Sequence, residues 1–217
     1  MTELDVQHNI QHKFGYARDQ GPRPTCLAFA MSDAHAGARG PWAVLSCEYL
    51  YFHALRHSSS SVADGTTVPA VRSALEQDGQ PEESGWPYLP SLPSDLTTWN
   101  PPLDVGDIFC RASDVLGAGF DDAWGLVAGS RPAVVVMTIS DAFYTPDVFG
   151  EVNSNETVDH SRKHAVVAAA IGKRAGNRLV LVRNSWGGSW GLDGYAWLSE
   201  TYLAPRILQV IELKEAA

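Results

Sequence analysis

The chain has 217 residues, 45% of them hydrophobic, only three cysteines, and a formal net charge of −9 with a sequence pI near 5.1. That much apolar material builds a core for one domain or two small ones and excludes a disordered tail. The acidic balance, with no cluster of Lys and Arg, argues against nucleic acid as a partner, and no run approaches the roughly 18 apolar residues that a membrane helix needs.

Residues 1–19 read as an extended polar arm, and its opening, MTELDVQHNIQHK, lacks the basic-then-apolar plan of a signal peptide. Gly21, Pro22 and Pro24 forbid a regular element, so the chain turns tightly before Thr25. From 26 to 38, Leu27, Phe29, Ala30, Ala34 and Ala38 fit a helix with Thr25 as its N-cap, which sets the Cys26 sulfur in the first turn. The unpaired N–H groups and the dipole of a helix start favour thiolate over thiol. A second helix is predicted from Ser46, with apolar spacing at Leu50, Tyr51, Ala54 and Leu55, and the serine run 58–61 ends it. A third spans about 68–78, with Pro69 in its first turn and Gly79 as its stop. Five prolines between 85 and 102 predict an irregular crossover.

After about Asp107 the character changes from helix to sheet. A short strand is predicted around 108–111 and a small helix around 121–128, and PAVVVMTI then reads as a buried strand rich in β-branched residues. Residues 141–159 read as loop. Further strands follow at 164–171, 178–184, 195–198 and 207–213. Between two of them lies NSWGGSWGLDGY, residues 184–195, whose four glycines weaken any element interior. The reading is a strand ending at Asn184, a loop packed under Trp186 and Trp190, and a return strand from Tyr195.

The chemistry-bearing residues are a cysteine at a helix start, a histidine opening an apolar strand and an amide at a strand end. Together Cys26, His164 and Asn184 make a nucleophile, its base and the base's orienter. His164 is preferred to His160 because Ala165 to Ile171 follow it directly, whereas Ser161, Arg162 and Lys163 follow His160, which is read as a solvated loop residue. Cys47 and Cys110 lack such company and read as core residues. Six of the seven histidines fall in H-x3-H pairs: His8 with His12, His53 with His57, and His160 with His164. No pair carries the glutamate of HExxH, so no catalytic metal is expected. Asn155, Glu156 and Thr157 match a glycosylation pattern that, without an export signal, is read as coincidence.

Gln20, Cys26, His164 and the NSWG of 184–187, in that order, resemble the papain-like cysteine peptidases. The histidine and asparagine lie 138 (164 − 26) and 158 (184 − 26) residues past the cysteine. The resemblance implies an α+β, two-lobed fold. Residues 1–106 would form a mainly helical lobe carrying the nucleophile, and 107–217 a mainly β, barrel-like lobe carrying the histidine and asparagine. Gln20 would donate its side-chain N–H to an oxyanion together with the Cys26 backbone N–H. Trp186 would cover the His164–Asn184 bond, and Trp86, Pro87 and Tyr88 match a short aromatic motif. Val68, Pro69, Val136 and Ala165 would line a pocket for an apolar or aromatic side chain two places before the scissile bond. Gly65 and Thr66 stand where relatives often have two glycines near the substrate. No cofactor is implied.

The chain also departs from the family. Arg23 stands where secreted relatives have a cysteine, and Pro24 and Leu27 replace a glycine and an indole beside the nucleophile. Three free thiols and a reducing compartment are therefore expected, with a Cys47–Cys110 disulfide as the alternative. Only 25 residues precede Cys26, with no inhibitory prosegment among them. This suggests an excised domain or control by an inhibitor or immunity protein, as in a bacterial effector or toxin. The expected partner is a protein or peptide substrate, with no membrane. The alternatives are an acyltransferase or amidase acting on a small or modified substrate, and an inactive peptide-binding scaffold.

Overall fold

The alanine-rich segment after Cys26 folds as α1 (Cys26–Arg39), a helix buried without a break from Leu27 to Gly37. Its small side chains let neighbours approach the backbone closely. A Cβ added at Gly37 would sit 2.7 Å from the ring of Phe14. These features come from a computed structural model that describes residues 3–152 and 156–214; Asn155 of the glycosylation pattern lies outside the described residues.

Before α1 the chain forms β1 (Asp5–Asn9), where the sequence suggested only an extended arm. After it come α2 (Cys47–Arg56), capped by the Ser46 side chain accepting from the Tyr49 N–H, and α3 (Val68–Gln77), capped by Thr67 accepting from the Ala70 N–H. Residues 85–102 hold only a 3-10 turn at Leu96–Thr98, as five prolines dictate.

The second half supplies β2 (Ser113–Gly117), α4 (Phe120–Ala128), β3 (Ala133–Thr138), α5 (Asp141–Tyr144), β4 (Glu151–Val152), β5 (Lys163–Arg174), β6 (Asn177–Arg183), β7 (Tyr195–Ser199), α6 (Glu200–Leu203) and β8 (Ile207–Leu213). The strands join in the order β2-β8-β3-β5-β6-β7-β4, with β1 also on β5. Every pairing is antiparallel except the short β4–β7 contact. The fold is thus α+β, helices together with a many-stranded sheet. β5 is its hub. β3 pairs with its first half, β1 with its second, and β6 lies along the other edge. Helices α1 and α4 pack against it, which is why His164 to Gly172 are buried without alternation.

Three local expectations are corrected. The 108–111 stretch is not a strand but an isolated bridge, in which Gln80 and Phe109 exchange both backbone hydrogen bonds; the strand lies further on, at β2. Residues 141–159 are not all loop, since they contain α5 and β4. Thr25 occupies the N-cap position of α1 without capping it, because its hydroxyl is taken by Tyr88 Oη at 2.9 Å.

Candidate active site

The starts of two helices and three neighbouring strands enclose one cavity of about 410 Å3. Cys26 and Leu27 come from α1, and Thr67, Val68 and Pro69 from the start of α3, with Thr66 just before them. The sheet register sets Val136 of β3 between Ala165 of β5 and Gln209 of β8. Period-two alternation then puts Lys163 on the same face as Ala165. All of these, with His164 and Leu208, line the cavity.

His164 is held from behind. Its Nε2 lies 2.6 Å from Asn184 Oδ1, and the Ser185 N–H donates to the same oxygen at 2.8 Å, which fixes the amide's orientation. Because Oδ1 only accepts, Nε2 carries the proton and Nδ1 is left as the acceptor. The Trp186 ring lies 4.7 Å from the imidazole centroid, and Phe143 lies 5.7 Å away. Tyr144 stacks on Trp186 at 5.2 Å, and Trp190 Nε1 donates to the Phe143 carbonyl at 3.0 Å. These rings keep water from the His164–Asn184 bond, and a drier bond is a stronger one.

The arm bearing Gln20 is zipped to the loop bearing Asn184. Gln20 N–H donates to Ser185 O at 2.8 Å, and Gly187 N–H to Arg18 O at 3.0 Å. The Gln20 side chain accepts from Ser185 Oγ at 2.7 Å and donates through Nε2 to Arg23 O at 2.9 Å. One of its two amide hydrogens is thereby used and the other is not. Gly65 has φ +83°, and a Cβ there would lie 2.9 Å from Pro24 O, so only glycine lets the two loops touch.

Burial dominates the electrostatics. It pushes the Cys26 thiol up, against the pull of the Ala165, Leu27 and Cys26 backbone N–H groups. It drives His164 down to about 4, with the Asn184 hydrogen bond opposing. The dipole and free N–H groups at the start of α1 favour thiolate. Desolvation of the sulfur reverses that sign for the thiol taken alone.

Behind the cavity two buried ion clusters lock the pieces in place. Asp33 of α1 accepts from Arg18 at 2.6 Å and from Arg183 at 2.7 Å. Arg183, 1% exposed, also reaches Gly15 O, Tyr16 O and Tyr195 Oη. In the turn before the cysteine, Arg23 forms a two-pronged pair with the fully buried Glu48, at 2.6 and 3.0 Å, and lies over the Tyr88 ring.

Cys26, His164, Thr66, Val68, Pro69, Val136 and Ala165 therefore share one cavity. Asn184, Gln20, Trp186 and Gly65 do not line it and stand around it. His160 is exposed on a turn. All three cysteines are free; Cys47 is buried, but Cys110 is exposed, not a core residue, because its stretch runs along the surface as an isolated bridge. His53 and His57 both turn to Asp78. Sequence reasoning missed Lys163, Leu208 and Gln209 in the lining and Phe143 and Tyr144 around Trp186. Strand alternation from Ala165 would have found Lys163. Gln209 needs the register of β8 on β3, which no local pattern reveals.

Comparison with known proteins points to cysteine proteases. The profile described as papain family cysteine protease matches residues 119–206, a span that includes His164 and Asn184 but not Cys26 or Gln20. Pro-cathepsin H of Medicago truncatula is 28% identical over 82% of this chain and 51% of its own length. Pro-cathepsin H of Mus musculus is 26% identical over 82% and 54%. The chain thus spans about half the length of these curated relatives. In fold it is similar to xylellain, a cysteine protease from Xylella fastidiosa, with TM-score 0.79 and 20% identity over 99% of this chain and 88% of that one. It is likewise similar to digestive procathepsin L 3 of Tenebrio molitor larval midgut, with TM-score 0.75 and 20% identity over 95% and 68%. By sequence match and by fold, this chain is similar to the papain-like cysteine peptidases.

Proposed function

We propose that the chain is a cysteine peptidase that hydrolyses peptide bonds through an acyl-enzyme. The observation that carries this reading is the presence of Cys26 and His164 in one cavity, with the His164 Nε2–H committed to Asn184 at 2.6 Å and Nδ1 left to take a proton. Since burial disfavours either charge alone, sulfur and imidazole ionise together, the proton passing from Sγ to Nδ1. The sulfur attacks the peptide carbonyl, and the oxyanion draws on the Cys26 backbone N–H and the unused N–H of Gln20. His164 returns the proton to the leaving amine. It then takes one from water, which cleaves the thioester and restores the thiol.

Val68, Pro69, Val136 and Ala165 suit an apolar or aromatic side chain two places before the cut. The substrate is a protein or peptide, and a protein that plugs the cleft would control it. The free Cys47 and Cys110 suit work in a reducing compartment. Whether the domain is a delivered effector restrained by an inhibitor is tested by co-purification, where full activity without toxicity on expression alone counts against it. The central test is labelling with a peptide epoxide followed by mass spectrometry. The adduct is expected on Cys26, and an adduct on Cys110 with Cys26 untouched would overturn the assignment.

A further inference from the structure

Away from the cleft, a second cavity of about 390 Å3 gathers positive charge on an acidic molecule. Lys13, Arg111, Arg131 and Lys214 line it, beside Ser130 and Ala38, and among the described residues no carboxylate does. Two of the four cations are satisfied at the rim, since Arg131 pairs with Glu212 and Lys214 with Asp114. The Lys13 ammonium donates to Ser130 O at 2.7 Å, which matches a cation to the carbonyl-rich end of α4. Arg111 is different. It is only 7% exposed, it has no carboxylate partner among the described residues, and its one side-chain hydrogen bond there goes to Lys214 O at 2.6 Å. Its Nε is buried with no hydrogen-bond partner.

A buried guanidinium with an orphaned donor is costly unless an anion completes it. Burial and the nearby Arg39 pull the Arg111 pKa down. Donors converge on the cavity from several sides, from the 3-10 turn that follows β1, from the stretch ahead of β2, from the α4–β3 loop and from the end of β8. That convergence suits a group with three outward oxygens better than a flat carboxylate, which one arginine fork saturates. We propose that this cavity binds the phosphate group of a small molecule, with Arg111 and Lys13 as its principal ligands.

The test uses the intact protein with Cys26 blocked by the peptide epoxide, so that Lys163 in the cleft is out of reach, and inorganic phosphate as the probe. Phosphate is expected to raise the thermal midpoint saturably and to titrate by phosphorus NMR. Chloride and acetate at equal ionic strength should do neither. Arg111→Gln should weaken phosphate at least tenfold and Lys13→Gln at least threefold, with peptide cleavage by the unblocked variants unchanged. Should Arg111→Gln fail to fold, Lys13→Gln carries the decision by itself. An equal response to chloride, an equal response to acetate, or unchanged phosphate affinity in Lys13→Gln would each overturn the proposal.

Discussion

At His164 burial and hydrogen bonding pull in opposite directions. The imidazole is 5% exposed, burial lowers its pKa to about 4, and the Asn184 oxygen is the group that resists. A protonated imidazole cannot accept the proton from sulfur, so kcat/KM for peptide cleavage is expected to fall as pH drops through about 4. In Asn184→Ala the resisting hydrogen bond is gone, and the acid limb should move to lower pH. The ring also loses its fixed tautomer, and kcat should fall on the order of 10²-fold. A pH–rate profile of the two proteins reads both effects. An acid limb that moves upward in the variant would show that the amide does not favour the protonated ring.

At the scale of elements, a few buried ion pairs decide how helix and sheet meet. Asp33 of α1 binds Arg183 at the end of β6, 150 residues away, and Asn184 is the next residue. The pair thus registers the helix carrying Cys26 against the strand end that orients His164. Replacing Asp33 by Ala strands two guanidinium groups in the interior, and a broken buried pair typically costs about 3–5 kcal/mol. Urea unfolding should show a loss of this size in Asp33→Ala; a loss below about 1 kcal/mol would mean that water reaches the cluster. None of this is legible in the sequence, where Asp33 sits among alanines as an ordinary helix residue. What is legible is periodic, as in the α1 pattern, the Thr67 and Pro69 start of α3, and the unbroken apolar runs of β3 and β5. Thr25 shows the limit of such reading, because local rules make it a cap and Tyr88, 63 residues away, takes its hydroxyl. The four-residue α5 is too short to impose a period, so the aromatic shelter around Trp186 had no signal beyond its composition.

At the scale of the whole molecule, two buried neutral histidines tie stability to pH. His35, fully buried and bonded to Gln80 at 3.1 Å, is also held down to about 4, chiefly by burial. Both folded-state values lie below the ordinary 6.5. The unfolded chain therefore binds protons that the folded one refuses. The stability is fully present above about pH 6.5 and is lost as pH falls toward 4. At about 1.36 kcal/mol per pKa unit, each histidine accounts for roughly 3 kcal/mol of that loss. Urea midpoints measured from pH 7.5 down to 4 should decline steeply, and His35→Gln should flatten the decline by about half.

The turn ahead of Cys26 is braced by a salt bridge, Arg23 on Glu48, at the place where the resemblance drawn from the sequence expects a half-cystine in secreted peptidases. Dithiothreitol, needed to rescue an oxidised sulfur at Cys26, would sever a cystine brace in the same stroke. Here it has nothing to cut. The protein can be stored and assayed in strong reductant with no trade-off between a reduced Cys26 and an intact scaffold.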